Sequence, residues 1–166
     1  MNFYSFQGTV TEINEFRIGQ NAETEGCFKL FTIEGGHGET VNFVISPSTY
    51  FVDQQIVTIG DRVTGYYDGD APVPLIYPPQ YVALIIVRER NDLTVKVDYF
   101  NNQLVSRDGQ LQVNLSPYIP ILLKNGQPFS RNIANRNLIV IYGPSTKSIP
   151  AQTTPYKIIV WCSNGS

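Results

Sequence analysis

Apolar and polar residues alternate along stretch after stretch of this chain, and no window of helical length keeps an apolar repeat near 3.6 residues. Successive side chains of a strand point to opposite faces, so such alternation fits half-buried sheets and little else. The predicted fold class is therefore all-β. Phe6 to Ile13 reads as a first strand, with Phe6, Gly8, Val10 and Glu12 on one face and Thr9, Thr11 and Ile13 on the other. Cys27 to Ile33 and Thr40 to Ile45 follow, joined through Gly35-Gly36-His37-Gly38; Val41, Phe43 and Ile45 share a face, and Pro47 ends the run. Arg62 to Tyr67 is the fourth strand. Tyr81 to Val87 is the fifth; being apolar on both faces, it is expected to be central and buried. Any helix is confined to a single short turn, in 48–56 or 126–136.

From Asn91 the pattern starts again. Leu93 to Phe100 alternates, and Leu104-Val105-Ser106 and Leu111 to Leu115 flank Arg107-Asp108-Gly109-Gln110, an Asp-Gly hairpin signal. Leu138 to Tyr142 and Lys157 to Trp161 close the half. The halves also align. Val41 to Pro47 matches Leu111 to Pro117, including the terminal Ser-Pro. Farther on, Tyr66 meets Tyr142, Pro74 meets Pro150 and Pro79 meets Pro155 at one constant spacing. These matches favour a duplication, with halves 1–90 and 91–166. About five short strands per half, with an irregular segment between the third and fourth, is the pattern of an OB-type barrel. The expectation is two tandem OB-like small barrels, the second shortened, packed as one unit through a shared hydrophobic interface. An incomplete second barrel or a two-sheet sandwich shared between the halves also fits, because the first two strands of the second half are short and tightly joined.

Gly60-Asp61-Arg62-Val63 resembles the Gly-Asp-x-Val found in small bacterial OB-like domains. The strings Val63 to Asp68, Pro72 to Tyr81 and Ser148 to Pro155 look like uncharacterised proteins of clostridia and related Firmicutes. That resemblance implies a bacterial protein with tandem OB-like β-barrels. It brings no activity and no catalytic residues.

Only 16% of residues are charged, and the net charge is −2. The distribution is uneven. Residues 1–90 carry five basic side chains against eleven acidic ones, a net of −6, and residues 91–166 carry seven against three, a net of +4. Such asymmetry suits an anionic partner, attraction between domains or head-to-tail self-association, and equally a set of solvated faces. Cys27 and Cys162 lie in no motif; two free thiols are the default, and a single pair linking the halves is the alternative. The N-terminus shows no signal-peptide pattern, and the longest apolar run, Val82 to Val87, is too short to span a bilayer. A cytoplasmic protein without a membrane span is expected.

Chemistry-bearing constellations are sparse. His37 is the only histidine and sits at a turn tip, so a multi-histidine metal site is not expected. Asp68-Gly69-Asp70 lacks the rest of a calcium loop. No Gly-rich loop opens a helix to cradle a phosphate. Catalytic residues, metal and cofactor are all expected to be none. Two loops are candidate ligand-binding surfaces. The first carries Tyr66, Tyr67, Tyr77 and Tyr81 among Pro72, Pro74, Pro78 and Pro79. Prolines lower the entropy lost when a loop is ordered on binding, and tyrosines offer flat apolar faces with a polar tip. The second carries Arg131, Arg136 and Lys147, residues able to meet phosphates. The favoured function is a non-enzymatic binding or assembly module with a protein partner or a second copy of itself. Single-stranded nucleic-acid binding through the basic half is the alternative, with only Phe129 and Tyr142 nearby for base stacking.

Overall fold

The computed structural model describes residues 1–163. Among them every regular element is a β-strand except one 3-10 turn, Val52–Gln54. The chain divides into two compact units, Met1–Glu89 and a second that begins at Arg90.

In the first unit, β1 (Phe3–Glu15), β2 (Lys29–Glu34) and β3 (Thr40–Ile45) form an antiparallel meander. The long β1 serves two neighbours. Its first part, Phe3 to Thr9, pairs antiparallel with β5 (Arg62–Asp68), and its second part, Thr9 to Glu15, pairs with β2. It bends where it changes partner. Gly8 sits there because a Cβ would run into the Glu34 backbone carbonyl, and the register then slips between Val10 and Glu12. This bulge corrects the simple alternation expected from the sequence. One extra residue reverses the faces beyond it, so Ile13 packs on the same core as Phe6 and Val10, opposite Phe31.

The remaining strands of this unit are β4 (Tyr50–Phe51), β6 (Gln80–Val82) and β7 (Ile85–Arg88), and the sheet runs β4-β7-β5-β1-β2-β3-β6. The expected fifth strand is thus two pieces. β6 lies parallel to β3 and β7 antiparallel to β5. Between them Ala83 N–H donates to the Val44 carbonyl at 3.0 Å, and Leu84 N–H donates to the Tyr66 carbonyl at 2.8 Å. The chain crosses here from one neighbour to the other, which breaks the ladder and leaves Val82 61% exposed instead of buried. Val10, Phe31, Ile33, Val41, Phe43, Ile45, Val63, Ala83 and Ile86 form the core. Each large member contributes on the order of 1.5–3 kcal/mol by leaving water.

The second unit contains β8 (Thr94–Phe100), β9 (Leu111–Val113), β10 (Ile121–Leu123), β11 (Arg136–Tyr142), β12 (Ala151–Thr153) and β13 (Lys157–Trp161). A four-stranded sheet runs β10-β13-β11-β8, and β12 pairs parallel with β9 in a second sheet. Single bridges, Phe100 to Ser106 and Val105 to Gln112, carry the chain from β8 to β9. The Asp-Gly hairpin forms between Ser106 and Leu111, whose backbones meet at 2.8 Å, with Gly109 at a φ of 73° that favours glycine. Phe100, Leu111, Val113, Ile133, Leu138, Val140, Ile158 and Val160 form the core. Ile139, Ile141 and Ile159 are buried as well, so β11 and β13 are apolar on both faces, as their unbroken apolar runs require.

The segment 126–136 holds turns rather than a helix, while the 3-10 turn falls within 48–56 as expected. The peptides Tyr77–Pro78 and Ile149–Pro150 are both cis. Cys27 and Cys162 are both exposed free thiols, each in a different unit. No helix among the described residues is long and apolar enough to cross a membrane.

Candidate functional site

The structure does not gather the four candidate tyrosines of the first loop. Tyr66 and Tyr67 are neighbours on β5 and so face opposite ways. Tyr67 stacks on Tyr81 from β6, with ring centroids 3.9 Å apart and planes 8° from parallel, and both rings rest against Phe43 of the core. Tyr4 closes on Tyr67 edge-on at 6.0 Å. Burial, then a hydrogen bond with the Tyr81 hydroxyl, pushes the Tyr67 hydroxyl up to about 12. Tyr66 meets Phe3 edge-on at 6.4 Å and is half-buried. These three tyrosines are packing residues. Only Tyr77 projects into water, 83% exposed.

Tyr77 has company that the tyrosine pattern did not reveal. Val73, Leu75 and Ile76 are exposed beside it, Leu75 completely. The loop is tied down at both ends. Gly69 N–H donates to the Asn2 carbonyl at 2.8 Å, and the Pro79 carbonyl accepts from Asn42 N–H at 2.9 Å. Gly69 also lies under the Tyr4 ring, where a Cβ would come within 2.5 Å of it. Asp68 accepts from Asp70 N–H at 3.0 Å, so these carboxylates shape the entry turn. Between the anchors, Pro72, Pro74 and Pro78 fix backbone angles, and the aliphatic side chains stand outward. The signal was present in the sequence as Val-Pro-Leu-Ile-Tyr-Pro; the mixture of prolines with aliphatic residues marked it, not the tyrosines.

The basic candidates are held in different ways. The Arg136 guanidinium lies over the Phe129 ring at 4.7 Å, and its Nε donates to the Asn132 carbonyl at 3.0 Å. Arg107 covers Tyr99 and Lys124 covers Trp161 in the same manner, at 4.9 Å and 4.6 Å. Such pairs hold a cation along an apolar surface. Arg131 and Lys147 are exposed. Lys147 follows Thr146 in sequence, and Thr146 lines an open groove of about 560 Å³ together with Asn114, Pro144, Ser145, Gln152, Thr153 and Thr154. The groove is bounded by hydroxyl and amide groups: Thr146 Oγ1 meets Ser148 Oγ at 2.6 Å, and Asn114 Nδ2 donates to Gln152 Oε1 at 3.4 Å.

His37 is exposed at its turn, where its N–H donates to Glu39 Oε2 at 3.1 Å. Among the described residues no group of three or more His, Cys, Asp or Glu side chains is placed to hold a metal ion. Fold and site together define an all-β protein of two units, with a stiff apolar loop in the first and an open groove of mixed lining in the second. No protein-family model, curated protein or solved structure matches the chain.

Proposed function

We propose that this protein is a non-enzymatic binding or assembly module that docks through the loop 72–79. The exposure of Val73, Leu75, Ile76 and Tyr77 on a proline-stiffened, doubly anchored loop carries this reading. Apolar side chains held in water cost free energy that a partner surface relieves, and a stiff loop loses little entropy when it binds. The loop contrasts with Tyr66, Tyr67 and Tyr81 nearby, which the fold uses for its own packing.

The framework behind the loop is, in this reading, one OB-like small barrel present twice. In the first unit only Ala83-Leu84 interrupts a circuit β5-β1-β2-β3-β6/β7. Support for the duplication comes from strand pairing. The partners Tyr4–Tyr67, Gly65–Ile86, Phe43–Tyr81 and Phe51–Ile86 correspond to Thr94–Tyr142, Val140–Ile158, Val113–Thr153 and Ile121–Ile158. The Ser-Pro turns agree also: Thr49 N–H donates to the Ser46 carbonyl, and Ile119 N–H to that of Ser116. This registration equates Tyr142 with Tyr67, one residue away from the constant-spacing match to Tyr66. It also explains the shorter second copy. The segment 104–107 stands where β2 stands in the first, with Ser106 bridging to Phe100 and Leu111 as Ile33 bridges to Val10 and Val41.

The test is affinity capture from lysate of the source cells with the wild type and a Leu75→Ser/Tyr77→Ser variant. Capture that the variant loses is expected; equal capture by both refutes docking through the loop. Single-stranded nucleic acid is the rival occupant, to be met by Arg131 and Lys147. Its mark would be oligonucleotide binding that weakens steeply with salt and with Arg131→Ala/Lys147→Ala.

A further inference from the structure

We propose that the occupant of the open groove in the second unit is the apolar loop of a second copy of this chain, so that copies associate heterologously, loop into groove. The inference rests on the reading of 72–79 as a docking loop and names its partner. Three observations bear on it.

The first is shape. Leu75 and Tyr77 are the most exposed apolar side chains of the loop. The groove, about 560 Å³ and lined in part by Asn114, Pro144, Ser145, Thr146, Gln152 and Thr154, is a concavity of the size that takes a few side chains.

The second is apolar surface around that groove. Ile149 follows Ser148, which touches Thr146, and is 83% exposed. Leu115 follows Asn114 and is also exposed. Tyr156, exposed as well, lies against Gly143 just before Pro144; a Cβ on that glycine would come within 2.7 Å of the Tyr156 hydroxyl. An apolar loop would meet these side chains around the groove.

The third is charge, and it selects the geometry. Residues 63–87, the loop and its flanking strands, contain Asp68 and Asp70 and no basic residue; the Met1 ammonium, 4.0 Å from Asp70 Oδ2, offsets part of that charge. Residues 109–163, which include every groove residue, contain Lys124, Arg131, Arg136, Lys147 and Lys157 and no acidic residue. A symmetric loop-to-loop contact would bring carboxylates together, and a groove-to-groove contact would bring lysines together. Loop-to-groove contact instead brings the acidic segment of one copy to the basic segment of the other.

The experiment is sedimentation velocity on the full chain over a concentration series up to the solubility limit. Three proteins are used: the wild type, a loop variant (Leu75→Ser/Tyr77→Ser) and a groove variant (Ser145→Asp/Thr154→Asp). All four positions are exposed, and circular dichroism checks that the fold persists. The wild type is expected to associate. Its apparent Kd should rise on the order of tenfold between about 0.05 M and about 0.5 M salt as the opposed charges are screened. Each variant alone should remain monomeric, and an equimolar mixture should form a one-to-one dimer and nothing larger, since it retains one intact loop and one intact groove. A groove variant that still self-associates, a mixture that fails to pair, or a wild type monomeric throughout overturns the proposal. The last outcome leaves docking of the loop to a different protein standing, because lysate capture tests that separately.

Discussion

Tyr67 shows how one residue type serves two purposes within a few positions of this chain. Its ring is held between Tyr81 and Tyr4 and against Phe43, so its hydroxyl titrates at about 12 instead of near 10. The folded state thus holds its proton more tightly than the unfolded chain does. Its contribution is complete below pH 10 and is lost as the pH rises toward 12, because there the unfolded state binds fewer protons. Burial also raises Tyr142, so spectrophotometric titration at the phenolate band should show late-titrating tyrosines of which one disappears in Tyr67→Phe, and the alkaline fall in stability between pH 10 and 12 should be shallower in that variant. Tyr67→Ala removes the stack as well and should cost about 2 kcal/mol in urea unfolding, less than for a fully buried ring because this one is only half-buried. Loss of under roughly 0.5 kcal/mol would mean that the stack is not a packing element. Tyr77, one loop away and exposed, should tolerate the same change with no measurable loss of stability.

At the level of elements, the two features with the greatest effect on topology are a bulge and a hairpin. Ile13 reaches the core only because of the slip between Val10 and Glu12. Ile13→Asp should therefore destabilise by roughly 1–3 kcal/mol in urea unfolding, while Thr11→Asp, at the bulge and exposed, should be near neutral. Similar costs for the two would remove the bulge from the account. In the hairpin, Asp108 accepts from Ser106 Oγ at 2.6 Å and from Gln110 N–H at 3.0 Å, and pairs with Lys96. Burial works to raise its carboxyl, but Lys96, Ser106 and the Gln110 backbone outweigh it and hold the group below its ordinary value of 3.8. The stability it adds is present above pH 3.8 and is lost as the pH falls through the lower folded value. Asp108→Asn should flatten that part of the acid-unfolding curve; an unchanged curve would dismiss the carboxylate's role. Strand existence was legible where an alternating or an unbroken apolar run lasted five residues or more: Thr40–Ile45 and Lys157–Trp161 have the bounds read from the sequence. The two-residue and three-residue strands β4, β10 and β12 were not, since their pairing is dictated by distant neighbours and leaves no local period. The candidate site was legible as a loop but not as a set of residues. Proline content marked its stiffness, whereas whether Tyr66, Tyr67 and Tyr81 face water depends on strand register and on Phe43, far away in sequence.

Across the whole molecule, the proposed duplication makes a demand on volume that the two cores can be asked to meet. In the first unit Gly65 leaves room for the Phe43 ring, whose nearest atom would lie 2.5 Å from a Cβ at that position. In the proposed registration their counterparts in the second unit are Val140 and Val113, both buried in its core. One unit places a large side chain opposite none, and the other places two of middle size, so the occupied space is shared out differently while the strands keep their partners. If the two units are copies of one ancestral barrel in this registration, the pairs should be partly interchangeable. Gly65→Val alone should overpack the first core, and Phe43→Val alone should open a cavity, each costing roughly 1–3 kcal/mol. The double variant, which reproduces the second unit's pair within the first, should recover much of the loss and give a favourable coupling energy of about 1–2 kcal/mol in a double-mutant cycle measured by urea unfolding. Phe43 also supports Tyr67 and Tyr81, so recovery will be incomplete even when the registration is right. Strictly additive costs would mean that Gly65 and Phe43 do not share one space. The second unit would then offer no template for the first, and the duplication would lose the most direct physical consequence of its strand pairing.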